Sequence, residues 1–396
     1  MRAFNIALLT YSTKPRGGVA HTLSLGEHLA RHGHGVHVYA LSSGSDFYRN
    51  TDLPYTLIPL PEKEYGTIDS KIEDYIGIYT KFLASIDERY DIYHAEDCIS
   101  ANALLNLREA GLIESYVRTI HHIDDFTSEV LIDCQLKSIV EPDHLIAVSK
   151  LWEKELLNNY SLTPAVINNG VEFNGNADIE PESAKEDARE RFSVKGAKVM
   201  LSVGGIEPRK NTLSALRAFN IARAHLKTKG ERLVWLIGGG ETLFDYRDYR
   251  DEFFKEAEKL GLEQGADFKV LGNVPESDMP TLYKAADVFV FPSIKEGWGL
   301  VVLEAMAAGV PVIASGIEPM TEYLTDGENA VLIKPTDYQT LANEVVRLLE
   351  NPELGRELAR KGLATARAYS WENTALKHIE YYDSILGGSI LGKTGA

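Results

Sequence analysis

Short apolar runs that read as β-strands alternate with stretches of helical periodicity, and the alternation occurs twice, with a polar break between. In the first half the runs are FNIALLTY (4–11), GVHVYAL (35–41), DIYHA (91–95), YVRTIHH (116–122), HLIAVS (144–149) and AVINNG (165–170). Between them lie segments such as GVAHTLSLGEHLARHG, with apolar residues at helical spacing and Gly33 placed as a stop. The second half repeats the pattern with KVMLSVGG (198–205), RLVWLIGGG (232–240), DFKVLG (267–272), DVFVFPS (287–293), VPVIAS (310–315) and NAVLIKP (329–335). Such alternation implies right-handed crossovers and a parallel sheet. The break at 170–192, GVEFNGNADIEPESAKEDARERF, is rich in Asn, Pro and Gly and then in charge, so it reads as a linker entering a surface helix. The expectation is two doubly wound α/β domains, 1–172 and 173–369. SWENTALKHIEYYDSIL (370–386) reads as a final amphipathic helix with nothing after it to pack against, and GGSILGKTGA as a loose tail.

Size agrees with two domains, since a single core stops growing near ~250–300 residues and this chain has 396. A formal net charge of −17 argues against nucleic acid as a partner. It also disfavours general attraction to an anionic membrane, leaving only a local peripheral contact open. No apolar run approaches the ~20 residues of a membrane span, and no N-terminal stretch reads as a signal peptide, so a cytoplasmic location is expected. Cys98 and Cys134 are the only cysteines, too few for a disulfide framework or a zinc site.

In doubly wound sheets ligands sit at the carboxyl ends of the strands, and two facing domains would place a ligand in the cleft between them. KEGWGLVVLEAMAAG (295–309) joins a strand to a helix that Gly309 and Pro311 close. Amides around Trp298, Gly299 and Leu300 begin that helix and suit an anion, while Gly297 and Gly299 let a ligand approach the backbone. Glu296 before the helix and Glu304 inside it fit a ligand with a central diphosphate and hydroxyl-rich ends; equally, they fit two solvated surface carboxylates. In GGIEPRKNTLSALRAF (204–219), Arg209 and Lys210 stand where cations clamp phosphate oxygens, or are simply solvated. Gly17 and Gly18 form a turn before the first helix that offers amides to an anion. IGGGE (237–241) is a second glycine turn, and neither has the G-x-G-x-x-G spacing of a dinucleotide site, which makes a Rossmann oxidoreductase improbable. His121 and His122 end a strand just before Asp124 and Asp125; without further spaced ligands a sugar contact is favoured over a metal.

Taken in order, the Gly-Gly loop, IHHID, AVS…INNGV, SVGGIEPRKN, LIGGGE, KVLGNVP, EGWGLVVLEAMAAGVPVIAS and TEYLTDGENAVLIKPTD resemble glycosyltransferase family 4 over roughly residues 4–386. The resemblance implies a GT-B fold: two facing Rossmann-like domains, a deep interdomain cleft and a C-terminal crossover helix. It implies retaining, metal-independent transfer from a nucleotide-diphosphate sugar, without a cofactor, to a carbohydrate or lipid-linked acceptor. On that resemblance Glu304 holds the ribose and Glu296 the transferred sugar. Arg209 and Lys210 neutralise the departing diphosphate, and Gly297, Trp298, Gly299 and Leu300 supply the loop amides. His121 meets the donor sugar, Gly17 and Gly18 close over phosphates or acceptor, and Val270 meets the base. The acceptor belongs to the N-terminal domain and the donor to the C-terminal one. Gly205 stands where many members carry Arg, so Arg209 is expected to supply that charge, as in the EPRKN subgroup. His122 stands where Asp is common, and His121 is the histidine expected at the sugar. UDP-glucose is the first donor expectation and GDP-mannose the second, with a sugar-nucleotide epimerase as an alternative enzyme on the same fold.

Overall fold

The computed structural model describes residues 2–172, 182–239 and 247–391. These divide into two compact units: the chain up to Gly170 together with Trp371 onward, and Val171–Ser370.

In the first unit the strands are β1 (Asn5–Thr10), β2 (Gly35–Ser42), β3 (Tyr55–Pro59), β4 (Ile92–Ala95), β5 (Val117–Ile120), β6 (His144–Ala147) and β7 (Ala165–Val166). They form one sheet in the order β3-β2-β1-β4-β5-β6-β7, every pair parallel; Ile6 stands opposite Val36 on one side and Ile92 on the other. The helices α1 (Gly17–Arg31), α2 (Ile68–Ala84), α3 (Cys98–Glu109), α4 (Glu129–Val140) and α5 (Lys150–Tyr160) make the crossovers. Interior strands of a parallel sheet are covered on both faces, which is why β1 reads NIALLT and is buried from Ile6 onward. β3 was not expected. It is a half-exposed edge strand between Pro54 and Pro59, and proline is tolerated only at such edges.

The second unit contains β8 (Lys198–Val203), β9 (Leu233–Gly238), β10 (Phe268–Val270), β11 (Val288–Phe291), β12 (Val312–Ser315) and β13 (Val331–Ile333). Their order is β10-β9-β8-β11-β12-β13, again all parallel. Its helices are α6 (Glu182–Arg191), α7 (Thr212–Thr228), α8 (Arg247–Lys259), α9 (Met279–Lys284), α10 (Leu300–Ala307), α11 (Tyr338–Glu350) and α12 (Pro352–Ala368). Trp235 on β9 is wholly buried among Phe219, Phe253 and neighbouring core residues, and its indole N–H donates to Ser202 Oγ at 3.2 Å. The linker expected within 170–192 falls mostly on residues 173–181, outside the described residues, and does enter helix α6.

The last helix, Trp371–Leu391, belongs to the first unit. It packs on α1, and Thr374 Oγ1 donates to Asn168 O at 3.0 Å. Its partners precede it by hundreds of residues, as a crossover helix returning to the first domain requires. It also runs five residues past 386: Gly387 and its successors continue the helix rather than opening a tail. No helix among the described residues is long and apolar enough to cross a membrane.

The strand order reverses between β1 and β4 in one unit and between β8 and β11 in the other, where ligands bind in open parallel sheets. The helices that leave β1, β8 and β11 start without a side-chain cap, at Arg16, Asn211 and Gly299. By contrast Thr67, Asp97, Ser128, Ser149, Asp337 and Asn351 cap their helices with side-chain oxygens. Uncapped first-turn N–H groups carry the positive end of the helix dipole and bind anions.

Candidate active site

In the second unit two loops meet at the β8–β11 reversal. Arg209 O accepts from Ile294 N at 2.8 Å, and Asn211, held at φ 55°, donates through Nδ2 to Pro292 O at 3.2 Å. Lys210 Nζ lies 2.7 Å and Arg209 Nη1 2.8 Å from the same oxygen, Glu296 Oε1. Lys210 also stands over the Phe291 ring, 4.4 Å from its centroid. Glu296 is buried and Lys210 half-buried, while the Arg209 side chain remains 41% exposed. Burial pushes the Lys210 pKa down, and Glu296 only partly restores it. Burial alone would raise Glu296, but Lys210 and Arg209 outweigh it and hold the carboxylate below its usual range. The triad is therefore an ion pair with a spare, partly exposed cation.

Gly299 ends the following loop with φ +89°, a conformation in which a side chain is strained; a Cβ there would also lie 2.8 Å from the Tyr323 hydroxyl. That hydroxyl donates to Trp298 O at 3.0 Å, and the Trp298 ring is buried against Tyr323 and Tyr369. Trp298 thus contributes its side chain to the packing that shapes the loop, while Leu300 opens helix α10. Glu304 lies in the second turn of that helix and accepts from Tyr283 Oη at 2.6 Å. Burial pushes the Glu304 pKa up to about 7, the tyrosine bond opposes that rise, and Glu276 adds to it. Val270 ends the edge strand β10, half-buried. The IGGGE segment reaches the described residues only through Gly239.

In the first unit, Gly17 and Gly18 are not a turn but the first residues of α1, and Thr22 Oγ1 donates back to Gly18 O at 2.8 Å. The two histidines part company. His122 is exposed and pairs with Asp124 Oδ2 at 3.0 Å, whereas His121 turns inward, its Nε2 2.9 Å from Glu96 Oε2. The His-His-Asp-Asp cluster considered from sequence is therefore not assembled. A different cluster is: His21, His94, His378 and Tyr382 surround the His121–Glu96 pair. Burial holds all four imidazoles below their ordinary pKa, His21 at about 3 and His378 at about 4. Glu96, His21, His94 and Tyr283 escaped sequence reasoning; the one signal was a polar HAED at a strand end.

Comparison with known proteins identifies the family of the chain. Residues 183–364 match the family model described as "Glycosyl transferases group 1", and residues 15–174 match "Glycosyltransferase Family 4". A D-inositol 3-phosphate glycosyltransferase from Streptosporangium roseum is 30% identical over 312 residues, 74% of this chain and 69% of the relative. The chain belongs to this glycosyltransferase family. The glycosyltransferase is also 32% identical to the O-antigen chain mannosyltransferase B of Escherichia coli over 182 residues, 46% of its own length but only 45% of that relative's. In fold it resembles Anabaena Alr3699/HepE, solved in complex with UDP and glucose, with a TM-score of 0.79 and 20% identity, covering 96% of this chain and 100% of that one. Its two parallel-sheet Rossmann-like units are those of GT-B glycosyltransferases.

Proposed function

We propose that this glycosyltransferase moves a hexose from a nucleoside diphosphate sugar to a hydroxyl of a saccharide or lipid-linked acceptor, with retention and without a metal. The observation that carries the reading is the convergence of Lys210 and Arg209 on Glu296 beside the uncapped helix α10. Two cations and a row of helix amides suit a leaving diphosphate, and they are arranged before the reaction begins, which is the condition for effective charge stabilisation. Glu296 then orients the cations and accepts hydrogen bonds from the sugar, while Glu304, steadied by Tyr283, accepts from the ribose hydroxyls. His121 in the first unit is assigned to the sugar, with the acceptor on that unit and the donor on the second.

In the proposed step the acceptor oxygen bonds to the anomeric carbon from the face that the diphosphate leaves. The bond from that carbon to the phosphate oxygen breaks, and the acceptor proton passes to a phosphate oxygen. The products are a glycoside and a nucleoside diphosphate, with no protein nucleophile needed. UDP-glucose is favoured as the commoner donor type in the family, whereas the match to a mannosyltransferase favours a mannose donor such as GDP-mannose. A thermal-shift panel of UDP, GDP and ADP separates these, since a ligand of the native state raises its stability with occupancy. UDP should give the largest shift. Lys210→Ala should lower kcat ~10²-fold, the scale of one lost charge-stabilising donor. Unchanged transfer by that variant would refute the assignment, and donor conversion without acceptor would point to an epimerase.

A further inference from the structure

Glu96 follows β4 and is wholly buried. Among the described residues its side chain makes one hydrogen bond, through Oε2 to His121 Nε2 at 2.9 Å. The second oxygen, Oε1, lies 3.7 Å from His21 Nε2 and 3.7 Å from His94 Nε2, and has no hydrogen-bond partner. Both neighbours explain this. His94 is engaged at each nitrogen, Nδ1 with Tyr382 Oη at 2.7 Å and Nε2 with Thr119 Oγ1 at 2.6 Å. His21 meets the amide oxygen of Asn169 through Nδ1 at 2.9 Å, so its proton sits there and Nε2 turns a lone pair toward Glu96.

With Glu96 ionised, the carboxylate only accepts and His121 donates through Nε2. Its Nδ1 then carries a lone pair and has no hydrogen-bond partner among the described residues, on a side chain that keeps 12% exposure. The ring is held from two further sides. His21 packs edge-on at 4.8 Å between centroids, and Gly18 at the start of α1 lies close enough that a Cβ there would stand 3.8 Å from His121 Cδ2. Burial, with help from Arg118 and His122, keeps the imidazole neutral. Arg118 and His21 also oppose the rise that burial imposes on Glu96.

We propose that Glu96 is a positioning residue: its carboxylate fixes His121 in the Nε2–H tautomer, so that Nδ1 accepts a hydrogen bond from a hydroxyl of the transferred sugar. This rests on the reading of the chain as a sugar transferase that uses His121. The same three residues, His21, Glu96 and His121, bring ligand atoms within 4.8 Å of one another, which also describes a potential cation site. A cation held between Glu96 and His121 Nε2 would need the Nε2 lone pair, which the tautomer assigned here does not possess, so the two are distinguishable.

The test combines nitrogen-15 NMR of the histidine rings with steady-state kinetics. In the wild-type protein the His121 resonances, identified by their loss in His121→Ala, should show Nε2 protonated and Nδ1 bare between pH 6 and 8. Glu96→Gln, which can donate as well as accept, should shift the ring toward Nδ1–H. It should also lower kcat roughly 10- to 100-fold, the scale on which a residue orienting a ligand-binding histidine acts, with little change in melting temperature. In His121→Ala the same substitution should have no further effect. A bare Nε2 in the wild type overturns the proposal. So does a Glu96→Gln enzyme at wild-type kcat beside an impaired His121→Ala, and in that case the transferase reading survives. Zinc or manganese that stabilises the wild type but not Glu96→Gln also overturns it. If Glu96→Gln fails to fold, the wild-type tautomer and His121→Ala still decide. If no sugar nucleotide supports transfer, the functional reading fails, and the wild-type spectrum still judges the Glu96–His121 bond.

Discussion

Glu304 gives the most direct handle on donor binding, because its carboxyl titrates near neutrality. Burial raises its pKa from 4.5 to about 7 despite the 2.6 Å bond from Tyr283. A rise of roughly 2.5 units corresponds to roughly 3 kcal/mol of preference for the protonated form in the folded chain. The sign for folding follows: with the folded pKa above the unfolded one, this stabilisation is complete below pH 4.5 and is lost as the pH rises through 7. Binding runs the other way. On the proposed assignment the ribose hydroxyls donate to the ionised carboxylate, so a bound nucleotide would first displace the proton. With a pKa of about 7, the ionised fraction falls roughly tenfold from pH 8 to pH 6, and the UDP dissociation constant should rise by about the same factor. Calorimetric titration across this range in buffers of different ionisation enthalpy measures both affinity and proton release. Glu304→Gln should bind weakly and keep only the pH dependence of the ligand's own phosphate. Tyr283→Phe removes the bond that lowers the pKa and should move the break in the profile above 7. Identical pH profiles for wild type and Glu304→Gln would refute the reasoning.

The remaining predictions concern the frame that holds the site. Gly299→Ala forces a side chain into a left-handed conformation, worth about 1–2 kcal/mol, and against the Tyr323 hydroxyl; its melting temperature should drop clearly, and an unchanged value would show that the loop relaxes freely. Asn211→Ala loses the bonds that tie the two site loops, and should destabilise by about 1–3 kcal/mol in chemical denaturation. Deleting Trp371 onward removes Tyr382 from His94 and His378 from the buried cluster. The truncated chain should expose apolar surface to a dye such as ANS and lose the cooperative unfolding of the first unit; unaltered unfolding would contradict the packing described.

Repetition made the two α/β units legible. Parallel strands such as β1 and β11 are buried on both faces and so appear as uninterrupted apolar runs. β3 escaped because an exposed edge strand needs no such run. Gly17 and Gly18 misled because glycine pairs commonly turn, yet here they open a helix whose first N–H groups are left uncapped. Glu296, Arg209 and Lys210 could be singled out as candidates because each follows its strand by a few residues, and the structure brings these three together. The cluster around His121 was not, because its members come from four separate segments, and Tyr382 is 288 positions from the His94 it binds. Nothing in the local pattern of either residue announces the pairing.

The discontinuity of the first unit bears on the order in which the protein is made. Its sheet is encoded before Gly170, but the helix that carries His378 and packs Tyr382 against His94 is encoded after Ser370. At typical rates the ribosome needs ~10–40 s to add the roughly 200 intervening residues. Throughout that interval the earlier-made sheet waits without its last helix, while the later-made unit can already close. Every nascent chain therefore passes through a species in which the first-encoded unit is the last to be completed, and it is there that chaperones or proteases would meet it.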